Sequence, residues 1–198
     1  MINRFLTAVA VAVTLSTSFS TLAQTTVIYA GELLAVPGQK PLKQHTVVVD
    51  DGLITAVKKG YMSSTDFGNT SFGKDVTVID LKNRFVLPGL MDMHVHLLGE
   101  LSKTSRTDIL YTTQTMEALI GAHYANKTLM AGFTTVRDLG GNPEAIYALR
   151  DAVAKNLVPG PRIFAAGSAL AATGGHGDID GIKPELLKLW TPETICDG

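Results

Sequence analysis

The segment Pro88-Gly89-Leu90-Met91-Asp92-Met93-His94-Val95-His96-Leu97 constrains this chain more than any other. After a Pro-Gly turn it reads as a β-strand, in which successive side chains point to opposite faces. Regular alternation puts Asp92, His94 and His96 on one face and Met91, Met93, Val95 and Leu97 on the other. Such a strand fits the wall of a parallel barrel, with one face in the lumen and the other under outer helices. Two neutral imidazoles side by side at a strand end suit a divalent ion, zinc above all. Asp92, on the same face, is placed to orient one of the histidines.

The pattern differs on the two sides of this segment. Upstream, short β-branched runs cover Thr26 to Tyr29, Gly31 to Ala35, His45 to Val49, Leu53 to Val57 and Val76 to Leu81. Asp50-Asp51-Gly52 between two of them signals a hairpin. The runs are too short to alternate with helices, so residues 24–87 are expected to form a small β-sandwich domain. Tyr61 to Lys74, rich in Ser, Thr and Gly, reads as a loop. His45 is expected at a surface or an edge, with no chemistry.

Downstream, strands and helices alternate. A helix is predicted from Thr112 to Leu129, with Met116, Leu119, Ile120 and Tyr124 as its apolar stripe. His123 lies beside that stripe and is read as a core or surface residue. Phe133 to Arg137 is the next strand. Asn142-Pro143-Glu144 marks a helix start, Asn as N-cap and Pro in the first turn. That helix turns Ile146, Leu149 and Val153 inward. Val158-Pro159-Gly160-Pro161 breaks it, and Arg162 to Ala166 is the third strand of this half.

In an α/β barrel, ligands are met by the loops that follow the strands. The loop after the third strand holds Thr173-Gly174-Gly175-His176-Gly177-Asp178. Its glycines allow close backbone approach to a ligand, and His176 is the candidate for binding a substrate carboxylate or polarising a carbonyl. No Gly-Lys-Ser/Thr follows, so this is not a phosphate loop, and Asp180 stands where a dinucleotide fingerprint needs its third glycine. Arg137-Asp138 closes the second strand and is expected either as an ion pair bracing its loop or as part of the site. No Gly-x-Ser-x-Gly is present, which gives a serine hydrolase no support. The one cysteine, Cys196, cannot form an internal disulfide.

Residues 1–23 have the pattern of a secretory signal peptide: Arg4, the apolar run Phe5 to Leu15, and small residues around Thr21-Leu22-Ala23. The apolar run is short for a membrane span, so no membrane attachment is expected after cleavage, and the bacterial periplasm is the expected address. Loss of the leader moves the formal net charge from −1 to −2. That balance argues against a nucleic-acid partner, which calls for a basic surface.

Three stretches together resemble the amidohydrolase superfamily: Val86 to His96, Ala131 to Gly141, and Gly160 to Gly167 running on to Asp178. They are most similar to the branch of imidazolonepropionase-like proteins and secreted metallo-dipeptidases of Xaa-Pro and Xaa-Arg/Lys type. The resemblance implies an α/β fold: the N-terminal part of a metal-dependent (β/α)8 barrel preceded by the small β-domain. A whole barrel takes roughly 250 residues, so residues 88–198 are expected to hold its first three βα units. The resemblance further implies one or two divalent metals, most simply zinc, with His94 and His96 as ligands. The remaining ligands, a lysine, two histidines and an acid/base aspartate, are expected beyond Gly198. The implied substrate is a dipeptide or other small amide, and a homo-oligomer is compatible with it. Cyclic-amide, lactone or phosphoester hydrolysis is the neighbouring chemistry. The other class is an inactive truncated chain without a complete site.

Overall fold

The computed structural model describes residues 25–63, 76–108, 110–178, 183, 185 and 195–197. The expected leader lies outside these residues. The chain divides at Pro88/Gly89 into two compact units.

The first unit has four strands, β1 (Thr25–Leu33), β2 (Leu42–Asp50), β3 (Leu53–Lys59) and β4 (Val76–Val86). Their order in one sheet is β3-β2-β1-β4. β1 is antiparallel to β2 and parallel to β4. The expected hairpin joins β2 and β3 through Asp51 and Gly52, both at positive φ (48° and 77°), the backbone that a two-residue turn with right-handed strand twist requires. The runs predicted on either side of Gly31 are one strand. An irregularity in the β1–β4 register between Ala30 and Glu32 lies at that point. A side chain at Gly31 would collide with the Lys82 carbonyl, so glycine is demanded there by close approach and not by a chain break. Ala30, Leu33 and Val47 form the core of this sheet. Thr46 is buried with its hydroxyl donating to the Gly60 carbonyl at 2.7 Å and accepting from the Met62 amide at 3.1 Å. Among the described residues the expected sandwich is seen as this single layer. His45 is half-buried in β2 with Nδ1 2.9 Å from the Lys43 carbonyl.

The second unit follows the βα rhythm. It runs β5 (Leu90–Val95), α1 (Ser105–Asp108), α2 (Gln114–Met130), β6 (Phe133–Asp138), α3 (Pro143–Ala154) and β7 (Arg162–Ala165). The three strands form a parallel sheet in the order β5-β6-β7. Parallel neighbours need a crossover, and α2 and α3 supply it. Both helices start where a side chain can take up free amide groups. The Thr113 hydroxyl accepts from the Met116 amide, and the Asn142 carbonyl oxygen accepts from the amides of Glu144 and Ala145. One core joins Leu97, Ala125, Val136, Ile146, Leu149 and Ile163, with Val95, Val153 and Ala165 packed against it.

α3 buries the residues expected of it. α2 does not. Met116 and Leu119 of its expected stripe are 50% and 63% exposed, and the buried residues are Gly121 and Ala125. The reason is close packing: a methyl group at Gly121 would sit 2.9 Å from the Leu149 side chain and 3.0 Å from that of Leu98. The helix presents its small residues to the core, where larger ones would not fit.

Candidate functional site

The site is built from the C-terminal ends of β5, β6 and β7. Along β5, Met91 is registered with Thr135 and Asp92 with Val136, but Val95 is registered with Asp138. β5 therefore holds one residue more than β6 between these points, a bulge of the kind that re-aims side chains at active sites. Val95 and Leu97 go into the core beneath the helices. His94 and His96, on either side of Val95, are exposed on the opposite face. The expected apolar face does not hold in full: Met91 and Met93 are 69% and 44% exposed. Strict two-residue alternation breaks at the irregularity, which also separates Asp92 from His94.

The two imidazoles stand edge to face, with ring centres 5.5 Å apart and planes at 73°. Nδ1 of His96 lies 2.7 Å from the Gly140 carbonyl oxygen. A carbonyl can only accept, so Nδ1 carries a hydrogen, and in the neutral ring Nε2 then keeps the lone pair. Asp92 is half-buried, and its Oδ1 accepts the backbone N–H of His94 at 3.0 Å. It acts on the backbone of His94, whereas a carbonyl 44 residues away sets the ring of His96.

Arg137 and Asp138 do not form the expected pair. They point to opposite faces of β6, Arg137 exposed and Asp138 wholly buried. The Arg137 Nε donates to the Met93 carbonyl at 3.0 Å. The Asp138 carboxylate accepts from the amides of Leu97 (2.7 Å) and Gly140 (3.1 Å). Sequence reasoning missed the role of the Gly140 carbonyl, and it singled out Asp138 only together with Arg137. A signal for Asp138 was present, since it follows Val136 by two positions and so falls on the core face of its strand.

His176 is exposed on the loop after β7, at the same end of the sheet as the histidine pair. No ring contact or hydrogen bond joins it to His94 or His96 among the described residues. Its loop is well tied. Asp197 accepts from the Thr173 amide at 2.8 Å and hydroxyl at 2.6 Å, and these bonds hold its carboxyl below the usual range. The Gly174 amide donates to Asp178 at 2.8 Å, and Gly174 itself takes a positive φ of 70°. The loops after β6 and β7 are joined by the Gly141 amide donating to the Gly167 carbonyl at 2.9 Å. Cys196 is exposed.

No group of three or more His, Cys, Asp or Glu close enough to hold a metal occurs among the described residues. The chemistry of the histidine pair nonetheless suits a divalent ion. The rings are adjacent and exposed, and His96 is held in the tautomer that leaves a ligating nitrogen free. The pair amounts to half of a four-coordinate shell.

A three-stranded parallel sheet with crossover helices, and a histidine pair at the strand ends, is the beginning of an α/β barrel. The amidohydrolase family profile matches residues 85–196. The chain belongs to the amidohydrolase family, as the N-terminal portion of its (β/α)8 fold. Among solved structures it is similar to a Xaa-Pro dipeptidase with methionine bound in the active site, at 39% identity and a TM-score of 0.69, covering 81% of this chain and 38% of that one. A prolidase complexed with N-methylphosphonate-L-proline has 31% identity and a TM-score of 0.61, with 81% and 37% covered. Among curated proteins, the ochratoxinase of Aspergillus niger is 33% identical over 168 residues, 79% of this chain and 31% of that protein. The chain thus spans about a third of the length of these relatives.

Proposed function

We propose that the full-length protein is a metal-dependent hydrolase of amide bonds, a secreted dipeptidase, with His94 and His96 holding a divalent ion, most simply zinc. The observation that carries this is the adjacent pair of exposed rings, one locked through Nδ1 to the Gly140 carbonyl. Family membership supports amide hydrolysis, and similarity to the Xaa-Pro dipeptidase and the prolidase supports a dipeptide substrate. When bound, a divalent ion polarises an amide carbonyl and makes water acidic enough to ionise near neutral pH.

The chain's own residues supply the rest. The Gly140 carbonyl keeps the His96 ring from turning, so its free nitrogen stays aimed outward. Asp92 holds the His94 amide and with it the irregular stretch of β5. The Arg137 bond to the Met93 carbonyl braces the same stretch from β6. His176, on its glycine-rich loop, is assigned to the substrate, as a cation or hydrogen-bond donor for a carboxylate. The set is incomplete among the described residues, so this portion alone is expected to be inactive.

His94→Ala and His96→Ala in the full-length protein should each lower zinc content and reduce dipeptide turnover by about 100-fold or more, at least the top of the range for a partner that only orients a ligand. His176→Ala should keep the metal and alter KM or kcat. Elemental analysis and a dipeptide panel check all three. Full metal and full activity in both strand variants would refute the assignment. Export is checked separately, by mass spectrometry of protein recovered from the periplasm. The mature N-terminus should fall at or near Gln24, and an intact Met1 would remove the leader from this reading.

A further inference from the structure

Asp138 is a wholly buried carboxylate that forms no ion pair among the described residues, and its neighbour Arg137 faces the other way and bonds the Met93 carbonyl. Burying such a group is costly unless hydrogen bonds satisfy it. Here the two oxygens divide the work. Oδ2 takes the Leu97 amide at 2.7 Å, and Oδ1 takes the Gly140 amide at 3.1 Å. Leu97 directly follows His96, and Gly140 supplies the carbonyl that accepts the His96 Nδ1–H. One carboxylate therefore grips the backbone on both sides of the His96–Gly140 bond.

We propose that Asp138 is the positioning residue for His96, fixing its ring orientation and tautomer through Leu97 and Gly140 without touching the ring or the ion. This rests on the reading of His96 as a metal ligand. A carboxylate is suited to the task because it can accept from two amides at once. An asparagine can accept on one side only, and its NH2 would face the other amide, donor against donor. Loss of one grip frees either the chain after His96 or the Gly140 carbonyl.

The test uses the full-length protein, labelled with 15N in its histidines. In the metal-free wild type the His96 ring should carry its hydrogen on Nδ1. Asp138→Asn should weaken zinc binding, measured by competition with a chelator, by roughly 10- to 100-fold, the range for partners that orient a metal ligand. In the same variant the His96 ring should lose its fixed tautomer while the His94 signals stay as in the wild type. Gly140→Ala is the second variant, for the case that Asp138→Asn does not fold. Its added methyl would sit 2.7 Å from the Ala169 side chain, so it displaces the carbonyl without altering the carboxylate, and zinc binding should weaken likewise. A hydrogen on Nε2 of His96 in the wild type would overturn the proposal. So would undiminished zinc affinity in either folded variant, or equal loss of order at His94 and His96, which marks general loosening. If the wild type binds no zinc, the metal reading falls, yet the tautomer and its dependence on Asp138 are still read, so the two failures are told apart.

Discussion

Charged groups on the second unit show how one carboxylate is satisfied and another is not. Asp138 has two amide partners, while Glu117 Oε2 is a buried oxygen with no hydrogen-bond partner among the described residues. Glu117 lies in the first turn of α2, where the helix favours negative charge. Desolvation outweighs that and raises its pKa above the ordinary 4.5. A carboxyl whose pKa is raised on folding binds its proton more tightly in the folded state, so stability falls as pH rises from 4.5 through the raised value. The loss is complete above that value. Glu117→Gln should therefore melt higher at pH 7, by under about 2 °C for a partly exposed group, and lie flatter between pH 4.5 and 7. Thermal melts of the full-length pair across that range decide it. A lower melting temperature for the glutamine variant at pH 7 would show that the helix terminus prevails over desolvation.

At the scale of elements, α3 does most to hold the parallel sheet. Ile146 is wholly buried and Leu149 nearly so, both in the core that includes Val136 of β6 and Ile163 of β7. Removing three carbons from such a position loses transfer free energy and leaves a cavity. Ile146→Ala should cost about 2–5 kcal/mol, read as a shift in the denaturation midpoint of the full-length protein. A cost under about 0.5 kcal/mol, the range of surface substitutions, would mean that α3 does not fasten the sheet. α2 serves the opposite purpose. Its Gly121 and Ala125 let it approach the Leu97–Leu98 turn closely, which holds in place the backbone that follows the histidines.

For the whole molecule, the open edges matter most. The parallel sheet ends at β5 on one side and β7 on the other among the described residues, and Met91 and Phe164 are 69% and 56% exposed. In the first unit Leu53, Ile54 and Val78 are 71%, 69% and 52% exposed. Unpaired edges and apolar faces of this kind favour association. Residues 24–198 expressed alone should be poorly soluble or melt without cooperativity. Calorimetry and light scattering check this, and a sharp melt from a monomer would contradict it.

The sequence by itself determined the alternation of strands and long helices in the second unit, the hairpin at Asp51-Gly52, the start of α3 at Asn142-Pro143, and the adjacency of His94 and His96. It split β1 at Gly31 and left α1 unread. The features it determined depend on groups within a few residues of one another, so alternation, turn chemistry and capping suffice to read them. Only the tertiary structure decided the slip in β5, the exposure of Met91 and Met93, the small-residue face of α2, and the grip on His96. The slip exists only against a partner strand. The face of α2 was chosen by the space Leu98 and Leu149 leave. The Gly140 carbonyl and the Asp138 carboxylate reach His96 and Leu97 across 44 and 41 residues of chain, a separation at which local pattern carries no information and packing alone selects the partner.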